Sequence, residues 1–423
     1  MTSRERVNVA LEHKVPDKVP LDLGGSTVTG MHVSSVYKLR QALGLDPPRT
    51  PVKVIEPYQM LGEIGLDLVE ALHVDVAGIF PLKTIFGFKN EGWKEWTLFD
   101  GTPVLVPEKF NTIPDENEDI LMYPEGDTCV PPSARMPKGG YYFDSIIRQI
   151  PIDETNLNPK DNMEEFVLLS DKELKHYKDR SDELYNNTDK AILINFGGLS
   201  FGDIANVPAP WLKNPKGIRD IEEWYISLIM RKDYIKEVFE YQCDIGLANL
   251  KKLHEVVGDK ISIIYISGTD FGMQTGPFLS VETYCELFKP YHKKINEWIH
   301  SNTNWYTFIH SCGSIVQIIP EIIDAGFDIL NPVQISAAKM DPHTLKESFG
   351  DCITFWGGGI DTQKTLPFGN VDEVRKQVKE MVRIFGKGGG FVFNSVHNIQ
   401  ANVPIENLIA LYEAFEQSRS YRN

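Results

Sequence analysis

The feature that most limits the fold of this chain is a rhythm. Short β-branched and aromatic runs recur at 19–23, 74–80, 191–196, 261–266, 306–309, 327–330, 353–356 and 390–393, with helical patterns between them. Runs such as Ile192-Leu193-Ile194 and Ile263-Ile264-Tyr265-Ile266 are apolar at consecutive positions. Both faces of such strands must be covered, as in parallel strands flanked by helices. Eight strands alternating with helices predict an α/β fold, a closed (β/α)8 TIM barrel. An open doubly wound sheet should carry a glycine-rich phosphate loop after its first strand. The glycines at 357–359 and 388–390 do not have that form, and no P-loop is present.

Helical patterns are expected at 34–43, 60–72, 169–185, 218–250 with a break near Lys232, 281–300, 315–325, 345–349, 371–385 and 405–415. Thr2 with Glu5 forms a capping box for a first surface helix. Residues 85–135 interrupt the alternation. There Trp93, Trp96, Asp100-Gly101, Val104 and Val106 read as a β-hairpin with an Asp-Gly turn, followed by a stretch rich in Pro, Asp and Glu. The expected organisation is one barrel domain over 1–423, with 85–135 inserted after the second strand as a lid or substrate wall.

Charge and cysteine usage exclude several functions. The net charge of −16 argues against nucleic acid and against an anionic membrane surface. No apolar run reaches the length of a membrane span, and the charged start Met1-Thr2-Ser3-Arg4 is unlike a signal peptide. The five cysteines are dispersed without a CxxC pair, which reads as reduced thiols and a cytoplasmic location.

In a parallel barrel the strand ends converge on one face, where active sites are built. The run 306–309 ends in His310-Ser311-Cys312-Gly313, and the run 390–393 is followed by Asn394 and His397. His310, Cys312 and His397 are therefore expected to meet around one zinc ion, three protein ligands with a fourth position open. Asp270 or a water would complete the site. Asn195, Asp270 and Gln334 are candidate catalytic groups, and Asn331, Asn394 and Gln400 candidate substrate contacts. Asp203, Gln274 and Asp361 also follow strands. Each of these polar residues has an ordinary alternative role in capping a helix or fixing a turn. Trp93, Trp96, Phe110 and Tyr123 of the insertion are expected to wall a substrate pocket at that face. No Ser-His-Asp arrangement or nucleophile elbow appears.

Several stretches carry a family resemblance. They are Arg4-Glu5-Arg6 with Pro16-Asp17-Lys18-Val19-Pro20, then Gly272-Met273-Gln274-Thr275-Gly276-Pro277, then His310-Ser311-Cys312-Gly313, and finally 394–407 with Asn398-Ile399-Gln400-Ala401-Asn402-Val403-Pro404. Over these the chain resembles the uroporphyrinogen decarboxylase superfamily, specifically its corrinoid-dependent, zinc-containing methyltransferases of the O-demethylase type. The resemblance implies a TIM barrel, a zinc cofactor and a corrinoid (cobalamin) carried by a partner protein. It also implies His310 and Cys312 as ligands. The family's later cysteine ligand falls here on His397. The decarboxylase branch is less similar, because the loop after the first strand reads Gly24-Gly25-Ser26-Thr27-Val28-Thr29-Gly30 and lacks the arginines that would clamp a polycarboxylate.

The resemblance thus implies methyl transfer from a small methylated donor to Co(I) of a corrinoid protein. Replacing one thiolate by neutral imidazole leaves a metal site less electron-rich and a stronger Lewis acid, which favours activating an oxygen leaving group. A methoxylated aromatic is the expected donor. Two alternatives stand beside it, a methylcorrinoid:thiol methyltransferase of the coenzyme M type and a decarboxylase. A further alternative is a barrel whose His and Cys are structural. A homodimer is the assembly left open.

Overall fold

The structure, a computed structural model, describes residues 1–421. Seven parallel strands follow one another around a curled sheet: Val76–Ile79, Ala191–Asn195, Ile263–Ser267, Tyr306–His310, Ile329–Asn331, Thr354–Trp356 and Phe391–Val392. Residues 20–22 fill the eighth position and join both edges. Phe393 N–H donates to Pro20 O (2.8 Å) and Asp22 N–H to Phe393 O (2.9 Å) on one side, and Asp75 N–H donates to Leu21 O (2.8 Å) on the other. The result is the expected TIM-barrel-like α/β fold.

Successive strand residues face opposite ways. One set, including Val76, Leu193, Tyr265, Phe308, Ile329 and Trp356, forms a cluster inside the barrel, with Val7 and Leu11 of the helix Ser3–Leu11 packed into it. The intervening set, including Ile192, Ile264, Ile309, Leu330 and Phe355, packs outward against the helices. Both sets are buried, which is why the strands read as continuous apolar runs.

The expected helix over 60–72 does not form as such. Leu61–Gly62 is instead a short strand paired with Val52–Glu56, and the helix covers only Leu66–Ala71. Glycine decides this. Gly62 packs where a β-carbon would lie 3.0 Å from Val33 Cα and 2.9 Å from Val36 Cγ2. The strand Val52–Glu56 went unread in the sequence, hidden behind the prolines at 47, 48 and 51. It joins the Asp100-Gly101 hairpin, Lys94–Thr97 with Pro103–Val106, in a four-stranded sheet outside the barrel. A second small sheet holds Ile120–Met122, Ala134–Met136 and Asp144–Ser145. The barrel rhythm resumes only at the helix Asp171–Asn187.

Barrel closure is held by a buried ion network. Asp75 accepts from Arg419 Nη2 (2.6 Å), Arg6 Nη1 (2.6 Å) and Leu21 N (2.9 Å). One carboxylate thus ties the first strand to the N-terminal and C-terminal helices. The Asp75 and Arg419 side chains are 1% and 2% exposed. Removing Asp75 strips the buried Arg419 guanidinium of its closest carboxylate and leaves it Glu416 at 3.2 Å, so Asp75→Ala should lower unfolding stability by up to about 3–5 kcal/mol. Urea unfolding of both proteins measures this; a loss below about 1 kcal/mol would mean the network contributes no more than a surface pair.

Candidate metal centre

His310 is the last residue of Tyr306–His310 and continues the inward row set by Phe308. In the parallel register it stands directly beside Asn331. Asn331 Nδ2 donates to Trp356 O (2.8 Å), so its carbonyl oxygen faces His310. His310 Nδ1–H donates to that oxygen at 2.6 Å. The imidazole is thereby fixed with its Nε2 lone pair free, the tautomer a metal ligand needs. Asn331, expected to contact substrate, has both ends of its amide engaged in orienting His310.

Cys312 Sγ lies 3.3 Å from His310 Nε2. Its loop is braced by two side chains, one of them held in turn by a third. Cys312 N–H donates to Asp270 Oδ1 (2.6 Å), Gly313 N–H to Gln334 Oε1 (2.7 Å) and Gln334 Nε2 to Gln274 Oε1 (2.9 Å). Gly313 has φ +88°, and any β-carbon there would run into the Gly272 backbone. That close approach explains the glycine after the cysteine. Gln334, expected to be catalytic, spends its amide on this brace. Asp270 Oδ1 reaches within 3.9 Å of His310 Nε2.

His397 completes the group, its ring centroid 5.3 Å from that of His310. The ligand atoms of His310, Cys312 and His397 all lie within 4.8 Å of one another. Tetrahedral zinc with N and S ligands sets donor atoms about 3.5 Å apart, so these residues fit a borderline-soft divalent ion with little movement. The residues are compatible with zinc. Burial, opposed by the Asn331 contact, lowers His310 to about 4. Burial and the neighbouring His310, opposed by Asp270, lower His397 to about 4. Burial, with Asp270 and Asp203 nearby, pushes the Cys312 thiol well above its ordinary value. Burial also raises Asp270, against the Cys312 N–H and His397.

His310, His397 and Asp270 line a cavity of about 880 Å³ at the barrel mouth. Asn195 also reaches it, but its amide ties Thr27 N (3.3 Å) to Gly25 O (3.0 Å) and Ile79 O (3.3 Å). Asn394 donates to Asp22 O (2.9 Å) and Thr29 O (3.2 Å) inside the barrel, and Gln400 donates to Asn398 O (3.2 Å). Neither lines the cavity. Trp93 does not line it either. Its ring sits 5.5 Å from Lys53 Nζ, because the hairpin is held on the outer sheet. Phe110 is buried against Trp96 and Phe143 in the insertion's own core. The wall is built instead from Glu56, Tyr58, Phe80, Phe166, Trp211 and Trp224, among others. Glu56 was missed, since the strand that carries it was unread. Its only signal is an acidic residue ending an alternating run, Val52-Lys53-Val54-Ile55-Glu56.

Both imidazoles are neutral at pH 7, whereas the thiol is protonated and must lose its proton to bind a metal. Zinc affinity should therefore rise about tenfold per pH unit through neutrality. Competition with a chromophoric chelator measures this; Cys312→Ala should flatten the slope, and a flat slope in the wild type would exclude Cys312 as a ligand. Asn331→Ala should weaken zinc binding about 10–100-fold without removing a ligand. An unchanged affinity in that variant would mean that the His310 tautomer is not held by Asn331.

Residues 204–418 match the family model described as uroporphyrinogen decarboxylase (URO-D). No curated protein matches the chain. Among solved structures, a methyltransferase from Methanosarcina mazei superposes over 99% of this chain and 99% of its own, with a TM-score of 0.51 and 16% identity. Likeness at that identity concerns the fold. With the family model covering more than half its length, the chain belongs to the uroporphyrinogen decarboxylase family.

Proposed function

We propose that the protein is a zinc-dependent methyltransferase that moves a methyl group from a methoxylated aromatic to the Co(I) corrinoid of a partner protein. The observation that carries this reading is the convergence of His310 Nε2, Cys312 Sγ and His397, with His310 and His397 lining a large cavity and the His310 tautomer fixed by Asn331. A zinc ion held there supplies Lewis acidity to an oxygen leaving group. The chain's own residues do the rest. Tyr58, Phe80, Phe166 and Trp224 offer flat apolar faces to an aromatic ring. The narrow interior below is filled by Tyr265, Phe308 and Trp356, which keeps water from entering beneath the site.

The cavity is unsuited to a polycarboxylate. Its wall carries Glu56, Asp144, Glu165, Asp203 and Asp270 against Lys83 and Arg219. Arg219 is already bound by Glu165 at 2.7 Å. With Arg219 so engaged, the wall offers a polycarboxylate no cluster of free cations, which favours a neutral methylated donor over a decarboxylase substrate.

A corrin ring is too large for the packed barrel interior. It must reach the donor from the mouth, carried by a protein that docks transiently on the loops after His310, Asn331, Gly357 and His397. Among the described residues no helix is long and apolar enough to cross a membrane.

The test is a screen of methoxylated aromatics with reduced free cobalamin, reading methylcobalamin formation by absorbance. Demethylation of a neutral aryl methyl ether, lost at least about hundredfold in Cys312→Ala, is the expected result. Methylation of coenzyme M from methylcobalamin, with no ether demethylated, would assign the thiol-directed reaction instead. Activity unaffected by Cys312→Ala would sink the metal mechanism.

A further inference from the structure

Two oxygens beside the proposed metal centre have no partner that explains their position. Tyr265 lies inside the barrel with 8% of its surface exposed, its ring stacked on Phe308 at 5.3 Å. Among the described residues its hydroxyl makes no hydrogen bond, yet the residue lines the cavity. Asp203 also lines it. Asp203 Oδ1 accepts from Ala205 N–H at 2.8 Å, and no cation pairs with the carboxylate among the described residues. Gly268 brings the two together. A β-carbon there would clash with Tyr265 Oη and stand 3.0 Å from Asp203 Oδ2. The glycine therefore leaves the space on which both oxygens converge. Gly268 stands two residues before Asp270, and Asp203, Tyr265, Gly268 and Asp270 line the same cavity as His310 and His397.

We propose that Asp203, with Tyr265 Oη beside it, is the acid that protonates the oxygen leaving the methyl donor. The proposal rests on the reading of the protein as an ether demethylase. In the step, the methyl C–O bond breaks and its electron pair stays on oxygen. The Co(I) of the partner's corrinoid supplies the pair for the new Co–C bond and becomes formally Co(III). The proton on Asp203 passes to the oxygen, directly or through Tyr265 Oη, so the product leaves as a phenol and Asp203 is left as carboxylate. Tyr265 positions the oxygen by donating a hydrogen bond to it.

Protonation states agree with this geometry. The charged or titratable groups facing Asp203 are Asp270, Tyr265, Tyr225 and Cys312. Burial, opposed by the Ala205 N–H and reinforced by Asp270, raises Asp203 to about 7. Burial keeps the Tyr265 phenol protonated far above neutrality. Asp203 therefore keeps its proton to higher pH than an exposed carboxylate would. The demethylation rate should fall as pH rises and Asp203 gives that proton up.

The experiment compares wild type, Asp203→Asn and Tyr265→Phe, each loaded with one zinc and assayed with free Co(I) cobalamin on anisole and on 4-nitroanisole. A nitrophenolate leaves without a proton, whereas the anisole oxygen does not. Asp203→Asn should slow anisole demethylation about 10²–10⁴-fold, slow 4-nitroanisole less than about tenfold, and abolish the fall in rate above neutrality. Equal losses on both ethers, or a retained pH limb, would overturn the assignment. A second readout needs no turnover. The zinc-loaded protein binds 4-nitrophenol, whose absorbance reports its ionisation, and Tyr265→Phe should lower the phenolate fraction at fixed pH. An unchanged fraction would remove Tyr265 from the pair. If the wild type demethylates neither ether, the reading of the reaction falls, and the absorbance difference still decides whether the two residues bind an oxygen.

Discussion

The parallel pairing of Tyr306–His310 with Ile329–Asn331 is the constraint from which the site follows. Register places His310 beside Asn331, and the next pairing, Leu330 with Phe355, brings Trp356 O within reach of the Asn331 amide. Three adjacent strands thus supply a candidate ligand, the group that fixes its tautomer, and the carbonyl that fixes that group. A slip of one residue would turn His310 outward into the helical layer. The apolar residues below, Phe308 and Ile329, prevent that slip because their burial inside the barrel depends on the same register. Packing in the core and chemistry at the mouth are set by one pairing.

Desolvation then decides the charge state of everything at the mouth. Burial is the largest influence on His310, His397, Cys312, Asp270 and Asp203, and in each case it favours the neutral form. Burial acts on Glu56 in the same way, raising it to about 7 against the backbone N–H groups of Gln59 and Tyr58. A divalent cation would reverse this locally by drawing charge onto the thiol and the nearest carboxylate. The net charge of −16 matters far less here, because surface charges beyond about 10 Å are screened by salt.

The barrel was readable because buried parallel strands must be apolar at every position, a pattern that helices and loops do not share. The helix Val371–Phe385 was readable to the residue for a related reason. Asn370 caps it, Glu373 completes the box, and the apolar stripe never breaks. Residues 60–72 misled because their apolar spacing is helical while Gly62 is needed for close packing against the helix Val33–Ala42, a contact far from local. That His310, Cys312 and His397 would come together could be read from residue type and position at strand ends. The role of Asn331 could not, since it depends on register and on which way an amide faces. Trp93 misled because a hairpin shows its turn in sequence but not the sheet it stacks on. Tyr265 was hidden among apolar neighbours in a strand, where a tyrosine looks like core.

The two halves of the site have different origins in the chain. The candidate ligands come from the ends of barrel strands and the segment just after the last one, and their brace, Asn331, Gln334 and Gln274, comes from the same face. Much of the cavity wall, including Phe80, Ile85, Asn90, Ser145 and Phe166, comes from the long excursion between Val76–Ile79 and the helix Asp171–Asn187. That excursion folds around its own aromatic centre of Phe86, Phe110 and Phe143 and contributes none of the candidate ligands. Change in the wall therefore need not disturb the brace or the three residues it positions. Asp203 and Tyr265 stand where the halves meet, one on a loop after Ala191–Asn195 and the other within Ile263–Ser267. A group that must act on the donor's oxygen has to be held by the barrel yet face the wall, and the space over Gly268 is where the fold provides that position.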